Sequence, residues 1–167
     1  MPRGIKETSG LIVISANITE SAANTFTDSR VDLQLNPLDN EVFVVYGIDL
    51  DVTAPNMVAA TTTDARLSVS TTQRTTVGGI GTNGVLAHSR ITTQESAGAA
   101  VTNSFASDSA PGTNLEYLGI IATNDFFLNI NGSNNVDAML GSARLYGVRG
   151  KADASVYAAL VQSELLS

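Results

Sequence analysis

Two aspartates are the side chains of this 167-residue sequence that could best begin a metal site. Asp49 and Asp51 stand two residues apart in an alternating segment, so they project from the same face of one strand. With a loop carboxylate such as Asp125 or Asp137 they could bind Ca²⁺, which prefers oxygen ligands. No regularly spaced acidic loop accompanies them, and the interpretation that we favour is an acidic strand end exposed to solvent.

The sequence offers little to a catalytic mechanism. It contains one histidine, His88, and no cysteine, which excludes thiol dyads, disulfides and thiolate metal sites. We interpret His88 as a structural or surface residue. Glu41 and Glu116 could act as a carboxylate pair in glycoside hydrolysis, but that chemistry depends on a separation that a sequence does not give. The glycine-rich segment 78–84 lacks the lysine and the following helix of a phosphate-binding loop, so it predicts a turn. We therefore predict no catalytic residue and no cofactor.

The tyrosines keep a carbohydrate-binding function open. Four of them could form a surface that stacks on sugars: Tyr46, Tyr117, Tyr146 and Tyr157. The sequence has no tryptophan, and tyrosines at strand positions are more typical of a core or an interface.

The segment that organises the chain is 41–53, which has the longest unbroken strand alternation. The alternation places six residues on one face: Val42, Val44, Tyr46, Ile48, Leu50 and Val52. The first half is apolar on both faces and the second half is acidic on one, which predicts a strand that begins under a covering layer and runs out to solvent. Segment 142–150 has a similar pattern with arginines where the first has acids, so we predict that the two segments pair.

Further strands are predicted by alternation, β-branched residues and turn signals. They cover 10–19, 30–35, 65–72, 85–93, 115–122, 125–130 and 138–148. We expect 65–72 to lie near a sheet edge, and a hairpin or a bulge to join 115–122 to 125–130. Segment 94–113 is rich in small and polar residues, and we expect it to be an exposed loop that orders on contact with a neighbour.

These signals predict an all-β fold, an antiparallel β-sandwich in which about eight strands favour a single jelly roll over an immunoglobulin-like sandwich. We expect a flexible leader over 1–9, the sandwich over 10–150, and a C-terminal segment 151–167. Helical spacing predicts a short helix from Asp153 to Leu166 that packs on the barrel or on an adjacent subunit. Its apolar stripe consists of Val156, Tyr157, Leu160, Val161 and Leu165.

Composition limits the partners. Nine basic residues against 16 acidic residues give a formal charge of -7 with no basic arm, so we expect no direct binding to nucleic acid. The N-terminal apolar run is too short for a membrane span, and we expect no membrane insertion. Charged residues make up only 15% of the chain, a surface that suits a subunit covered by partners.

The sandwich pattern, the loops rich in threonine and alanine, and the ending RLYGVRGKADASVYAALVQSELL at 144–166 resemble small single jelly-roll capsid proteins of icosahedral DNA viruses. The resemblance implies a structural subunit of the virion, a major or minor capsid protein. Its partners would be copies of itself and other virion proteins, with no enzymatic activity and no small-molecule substrate. A carbohydrate-binding module or adhesin is the alternative, and a hydrolase on a β-sandwich is the third possibility.

Overall fold

The computed structural model of the chain describes residues 1–106 and 115–167 and has two antiparallel sheets packed face to face. The strands are β1 (Ile5–Glu7), β2 (Ile12–Thr19), β3 (Thr27–Asp32), β4 (Glu41–Val52), β5 (Thr62–Ser70), β6 (Val85–Ser96), β7 (Ala99–Ala106), β8 (Gly119–Ile121), β9 (Asp125–Ser133) and β10 (Leu140–Ala152). A 3-10 turn covers Pro37–Asp39, and helix α1 covers Ala154–Leu165. The first sheet has the order β1-β10-β4-β8, with β2 beside β1 on β10, and the second has the order β3-β9-β5-β6-β7.

The strand pairs are nested. β5 pairs with β6, β4 with β8, β3 with β9 and β2 with β10, as in one long hairpin rolled into a barrel. This connectivity is that of a jelly roll, in which β1 adds a short piece beside β2 and β7 extends the second sheet beyond β6. The predicted β-sandwich with a short C-terminal helix is therefore confirmed.

β4 is the central strand of the first sheet, as its sequence predicts. It pairs with β10 on one side and with β8 on the other. The predicted pairing with segment 142–150 is confirmed, and it sets Arg144 opposite Asp49. At the other end of the same pair, Arg149 Nη1 lies 3.3 Å from Glu41 Oε2.

A bulge in β4 divides the strand between two cores. Gly147 of β10 lies opposite Val45 and Tyr146 lies opposite Gly47, which leaves Tyr46 as an extra residue. An extra residue reverses the alternation beyond it. The prediction that 42, 44, 46, 48, 50 and 52 share one face is therefore wrong, because Ile48, Leu50 and Val52 join the side of Phe43 and Val45.

The main core lies between the sheets. It includes Phe43, Ile48, Leu67, Ile121, Phe126, Leu128, Ile130 and Leu145, each at most 1% exposed. A second cluster, the helix core, lies between the first sheet and α1 and includes Val42, Val44, Val148 and Ala152. These two layers make the first half of β4 apolar on both faces, while Asp49 and Asp51 reach solvent, as the sequence predicts.

Several local predictions differ from the structure. Residues 5–7, within the expected leader, form β1 on β10. β5 is an interior strand between β9 and β6, and not near an edge. β8 and β9 belong to different sheets, so 122–124 crosses the sandwich and does not close a hairpin. Most of 94–106 is strand, in β6 and β7, and 107–113 lies outside the described residues.

Candidate functional site

Three loops at one end of the sandwich are joined by asparagine side chains: 20–26, 53–61 and 134–139. Asn135 N donates to Asn24 Oδ1 (2.7 Å), and Asn24 Nδ2 donates to Asn135 O (2.9 Å). Asn135 Oδ1 accepts from Asn56 N (2.9 Å), and Asn56 Oδ1 accepts from Val136 N (3.0 Å). The loops thus satisfy one another's backbone groups, and we call the surface that they form the asparagine end.

A buried glutamate holds the first of these loops against the barrel. Glu20 is only 3% exposed, and its Oε1 accepts from Gly132 N (2.6 Å) while its Oε2 accepts from Met139 N (2.8 Å). Its own N–H donates to Met139 O (2.9 Å). A buried N–H without an acceptor costs about 1–3 kcal/mol, so this carboxylate fixes both backbone segments.

The asparagine end carries apolar side chains in the open. Met57 is 70% exposed and Val136 is 73% exposed. The two side chains belong to linked loops, because Val136 N donates a hydrogen bond to Asn56, the residue that precedes Met57. Apolar side chains on a loop that is already ordered bind a partner without the cost of ordering the loop. This arrangement is suited to a protein-protein contact.

β7 is a second exposed feature. All eight of its residues are exposed, and in the described part of the chain β6 is its one strand partner. The hairpin turns at Ala97 and Gly98, both with positive φ, which matches the twist of a tight hairpin. Glu95 braces the turn, since its Oε1 accepts from Gly98 N (2.7 Å) and its Oε2 accepts from Ala60 N.

The closing helix packs on its own barrel. Four of the five residues of the predicted stripe are half-buried against the helix core: Val156, Tyr157, Leu160 and Val161. Leu165 is 73% exposed in the single subunit, so it does not pack on the helix core, and its predicted contact with an adjacent subunit stays a prediction. α1 has 12 residues, and no helix in 1–106 or 115–167 is long and apolar enough to cross a membrane.

A carboxylate that the apolar pattern does not reveal anchors the end of α1. Glu164 is 7% exposed, and its two oxygens accept from the backbone N–H groups of Ala122 (2.7 Å) and Thr123 (2.9 Å). Asp153, at which the predicted helix begins, occupies the N-cap position, but its side chain makes no capping hydrogen bond. The helix is therefore fixed at its C-terminal end by a buried charge.

The acidic end of β4 is exposed and engaged with its neighbours. Asp49 Oδ2 accepts from the Tyr146 hydroxyl (2.9 Å). A hydrogen bond with the same Tyr146, two residues further along β10, raises the pKa of Arg144. Asp125 and Asp137, the expected helpers for calcium, bind Arg30 (2.6 Å) and Asn56 Nδ2 (3.0 Å) instead. Among the described residues, no three histidine, cysteine, aspartate or glutamate side chains are grouped so that they could hold a metal ion.

The remaining sequence candidates do not converge. His88 is buried in β6, where its ring lies 6.2 Å from that of Phe105 and burial lowers its pKa. Glu41 is paired with Arg149, whereas Glu116 lies 3.0 Å from the amino group of Met1. Each carboxylate thus has its own cation.

The tyrosines do not form one platform. Tyr46, Tyr117 and Tyr157 pack around the helix core, and Tyr146 is bonded to Asp49 on the exposed face of the first sheet. That face has a shallow depression of about 340 Å³ lined mainly by polar residues: Ser15, Asn17, Asp49, Asp51, Ser142 and Arg144.

The residues that build the asparagine end are absent from the sequence predictions. Asn56 and Asn135 stand at a strand end and in a turn, where asparagine often bonds to nearby backbone. Only the nested strand order shows that the three loops meet at one end, because the strands that they follow, β2, β4 and β9, are distant from one another in sequence.

No protein-family model and no curated protein matches the chain. Among solved structures, a chain of Desmodium yellow mottle tymovirus aligns over 93% of this chain and 96% of its own, at 14% identity and a TM-score of 0.36. The tailspike protein gp49 of Acinetobacter baumannii bacteriophage Fri1, a capsular polysaccharide depolymerase, aligns over 71% of this chain and 19% of its own, at 8% identity and a TM-score of 0.18. Similarities this low assign neither family nor function.

Proposed function

We propose that the protein is a structural subunit of a virion, a major or minor capsid protein that self-assembles into an icosahedral shell. The observation that carries the proposal is the asparagine end, where Met57 and Val136 are exposed on loops held by reciprocal hydrogen bonds. A surface that is both rigid and apolar gains more from a partner than from water.

The rest of the surface supports a covered subunit. Charged residues are 15% of the chain, and β7 presents eight exposed residues without a charge. A soluble monomer ordinarily protects such an edge with charges, prolines or bulges, because an open strand recruits other chains. The opposite end of the sandwich adds the exposed Leu38 and Ile80. A subunit with contacts at several places can form a closed assembly.

The proposed partners are copies of the same chain and other virion proteins, and the proposed location is the virion. A formal charge of -7 disfavours direct binding to nucleic acid, since the phosphate backbone attracts positive surfaces. The proposal includes no enzymatic activity, cofactor, small-molecule substrate or membrane insertion.

A carbohydrate-binding module or adhesin is the second candidate. The polar depression on the first sheet favours it, because Asn17, Asp49 and Arg144 offer hydrogen-bonding groups at an open face. The two functions give different results with the purified protein. A monodisperse monomer that binds glycans on an array would support the module, whereas shells, rings or sheets in negative stain support the capsid subunit.

The test uses a charge at the asparagine end. Val136→Asp should leave the melting temperature within about 2 °C of the wild type, because surface substitutions rarely change stability by more than about 0.5 kcal/mol. It should abolish or strongly weaken assembly in sedimentation and negative stain. Ser155→Asp, at an exposed position on α1, is the matched control and should assemble normally. Wild-type protein that sediments only as a monomer at all concentrations and salts would refute the proposed function.

A further inference from the structure

The free edge of β7 differs from the other sheet edges. β8 is three residues long, and β3 carries the charges of Asp28, Arg30 and Asp32. β2 is uncharged, but its alternate side chains pack into the main core. β7, with the sequence AAVTNSFA, has eight exposed residues, no charge, no proline and no bulge in its pairing with β6. Among residues 1–106 and 115–167, no strand covers this edge, and β7 itself has none of the charges, prolines and bulges that keep an edge strand from pairing with another chain.

We propose that β7 pairs edge to edge with β7 of a second copy, antiparallel and about a two-fold axis at Asn103. The proposal rests on the proposed function of self-assembly and names one of its contacts. The two second sheets would then form one continuous ten-stranded sheet across the pair of subunits.

Strand geometry restricts the register. A two-fold axis perpendicular to the sheet keeps the outer face of each strand on the outer face of the joined sheet. Residues directly opposite in an antiparallel pair share a face, so an outer residue must meet an outer residue. The outer face is the face of the second sheet that points away from the main core. The residues of β7 on this face are Ala99, Val101, Asn103 and Phe105. Their partners on the same face of β6 are Ser96, Gln94, Thr92 and Arg90, respectively.

The side chains of β7 determine which residue lies on the two-fold axis. With the axis at Asn103, Val101 of each copy lies opposite Phe105 of the other, and the two asparagines face each other. Val101 is 59% exposed and Phe105 is 44% exposed, and the pairing would cover both in two symmetric contacts. Aromatic and β-branched residues are a favourable cross-strand pair. No charge on β7 opposes the approach of the second copy.

Single cysteines test the register, because the native sequence contains none. Opposite residues of antiparallel strands have Cα atoms about 4.5–5.5 Å apart, within disulfide range. Asn103→Cys should form a covalent dimer under mild oxidation of the assembled full-length protein, at least about ten times faster than the controls. Val101→Cys alone and Phe105→Cys alone should not, since their like positions would be about 14 Å apart, but a mixture of the two variants should cross-link.

Thr92→Cys is the matched control. Thr92 lies opposite Asn103 on β6, on the same face but one strand further from the edge. Its two copies would be three strand spacings apart, about 14 Å, so it should not cross-link. Circular dichroism establishes that each variant is folded before oxidation.

The outcomes separate this inference from the proposed function. If the wild-type chain assembles but Asn103→Cys cross-links no faster than Thr92→Cys, the β7 contact is wrong and assembly uses other surfaces. Cross-linking of Thr102→Cys in place of Asn103→Cys would overturn the register. A wild-type chain that never assembles would refute the proposed function itself.

Discussion

Replacing Glu164 by alanine removes the anchor of α1 and should destabilise the subunit. Glu164 is 7% exposed and accepts hydrogen bonds from the N–H groups of Ala122 and Thr123. Ala122 is itself 3% exposed, so its N–H would be left in a largely dry site, whereas Thr123 is half-buried and can gain a water. The two donors should therefore contribute unequally.

The expected loss of unfolding free energy is about 2–4 kcal/mol. Hydrogen bonds to charged groups contribute about 1.5–3 kcal/mol each. We take the lower part of the range for the sum of the two bonds, because the Thr123 N–H is partly hydrated. Alanine has the best helix propensity, which offsets only a few tenths of a kcal/mol. For a domain of this size, the loss corresponds to roughly 4–16 °C in melting temperature.

Urea unfolding of the isolated subunit, followed by circular dichroism, measures the effect. The free energy of unfolding of Glu164→Gln should lie between those of the wild type and Glu164→Ala. Its amide oxygen can accept one of the two hydrogen bonds, whereas its NH₂ group cannot accept the other. Leu165→Ala is the control, because its side chain is 73% exposed and should cost less than about 0.5 kcal/mol. A Glu164→Ala variant within 0.5 kcal/mol of the wild type would refute the anchoring argument.

Three further predictions follow from the packing. Leu160→Ala should cost about 1–3 kcal/mol in urea unfolding without loss of assembly, since the half-buried Leu160 contacts the helix core of its own subunit; lost assembly with unchanged melting would make it an interface residue. Gly147→Ala should lower the free energy of unfolding by at least about 2 kcal/mol, because a Cβ there would lie 2.6 Å from Phe43 Cε1 and would overlap the Val44 carbonyl oxygen. Gly79→Ala is its control and should be neutral, because a Cβ at Gly79 meets no atom within 4 Å. Burial lowers the pKa of His88 below 6.5, so its contribution to stability is present above about pH 6.5 and is lost as the pH falls towards the folded-state pKa. Between pH 7.5 and 5, the free energy of unfolding of a His88→Gln variant should therefore fall less than that of the wild type.

The parts of the fold that follow from alternation and turn chemistry are predictable from the sequence. Local patterns or simple charge complementarity are enough to predict the strand at 41–53, its pairing with 142–150 and the terminal helix. The bulge at Tyr46 does not, because one extra residue leaves the sequence alternation intact and changes only which core each residue meets. Likewise β7 has weak strand propensity, and its strand conformation comes from the backbone of β6.

The candidate surface is less predictable for the same reason. Asparagine is common in turns, and nothing local distinguishes Asn24, Asn56 and Asn135 from others until the strand order joins their loops. Glu164 escapes a hydrophobic pattern because glutamate ordinarily marks a solvent-facing position. Helical spacing also does not show that Leu165 lies outside the part of the stripe that packs on the helix core.

The nested strand pairs also determine when the chain can fold during synthesis. β5 and β6 are neighbours along the chain and can pair soon after they leave the ribosome, but β10 pairs with β1, β2 and β4, which are all made well before it. Long-range pairing of this kind is slow, and strands that wait for partners are exposed to aggregation. We therefore expect ribosome-bound chains that lack β10 to be digested readily by protease and chains that include it to resist. The first sheet is thus completed only after β10 has left the ribosome.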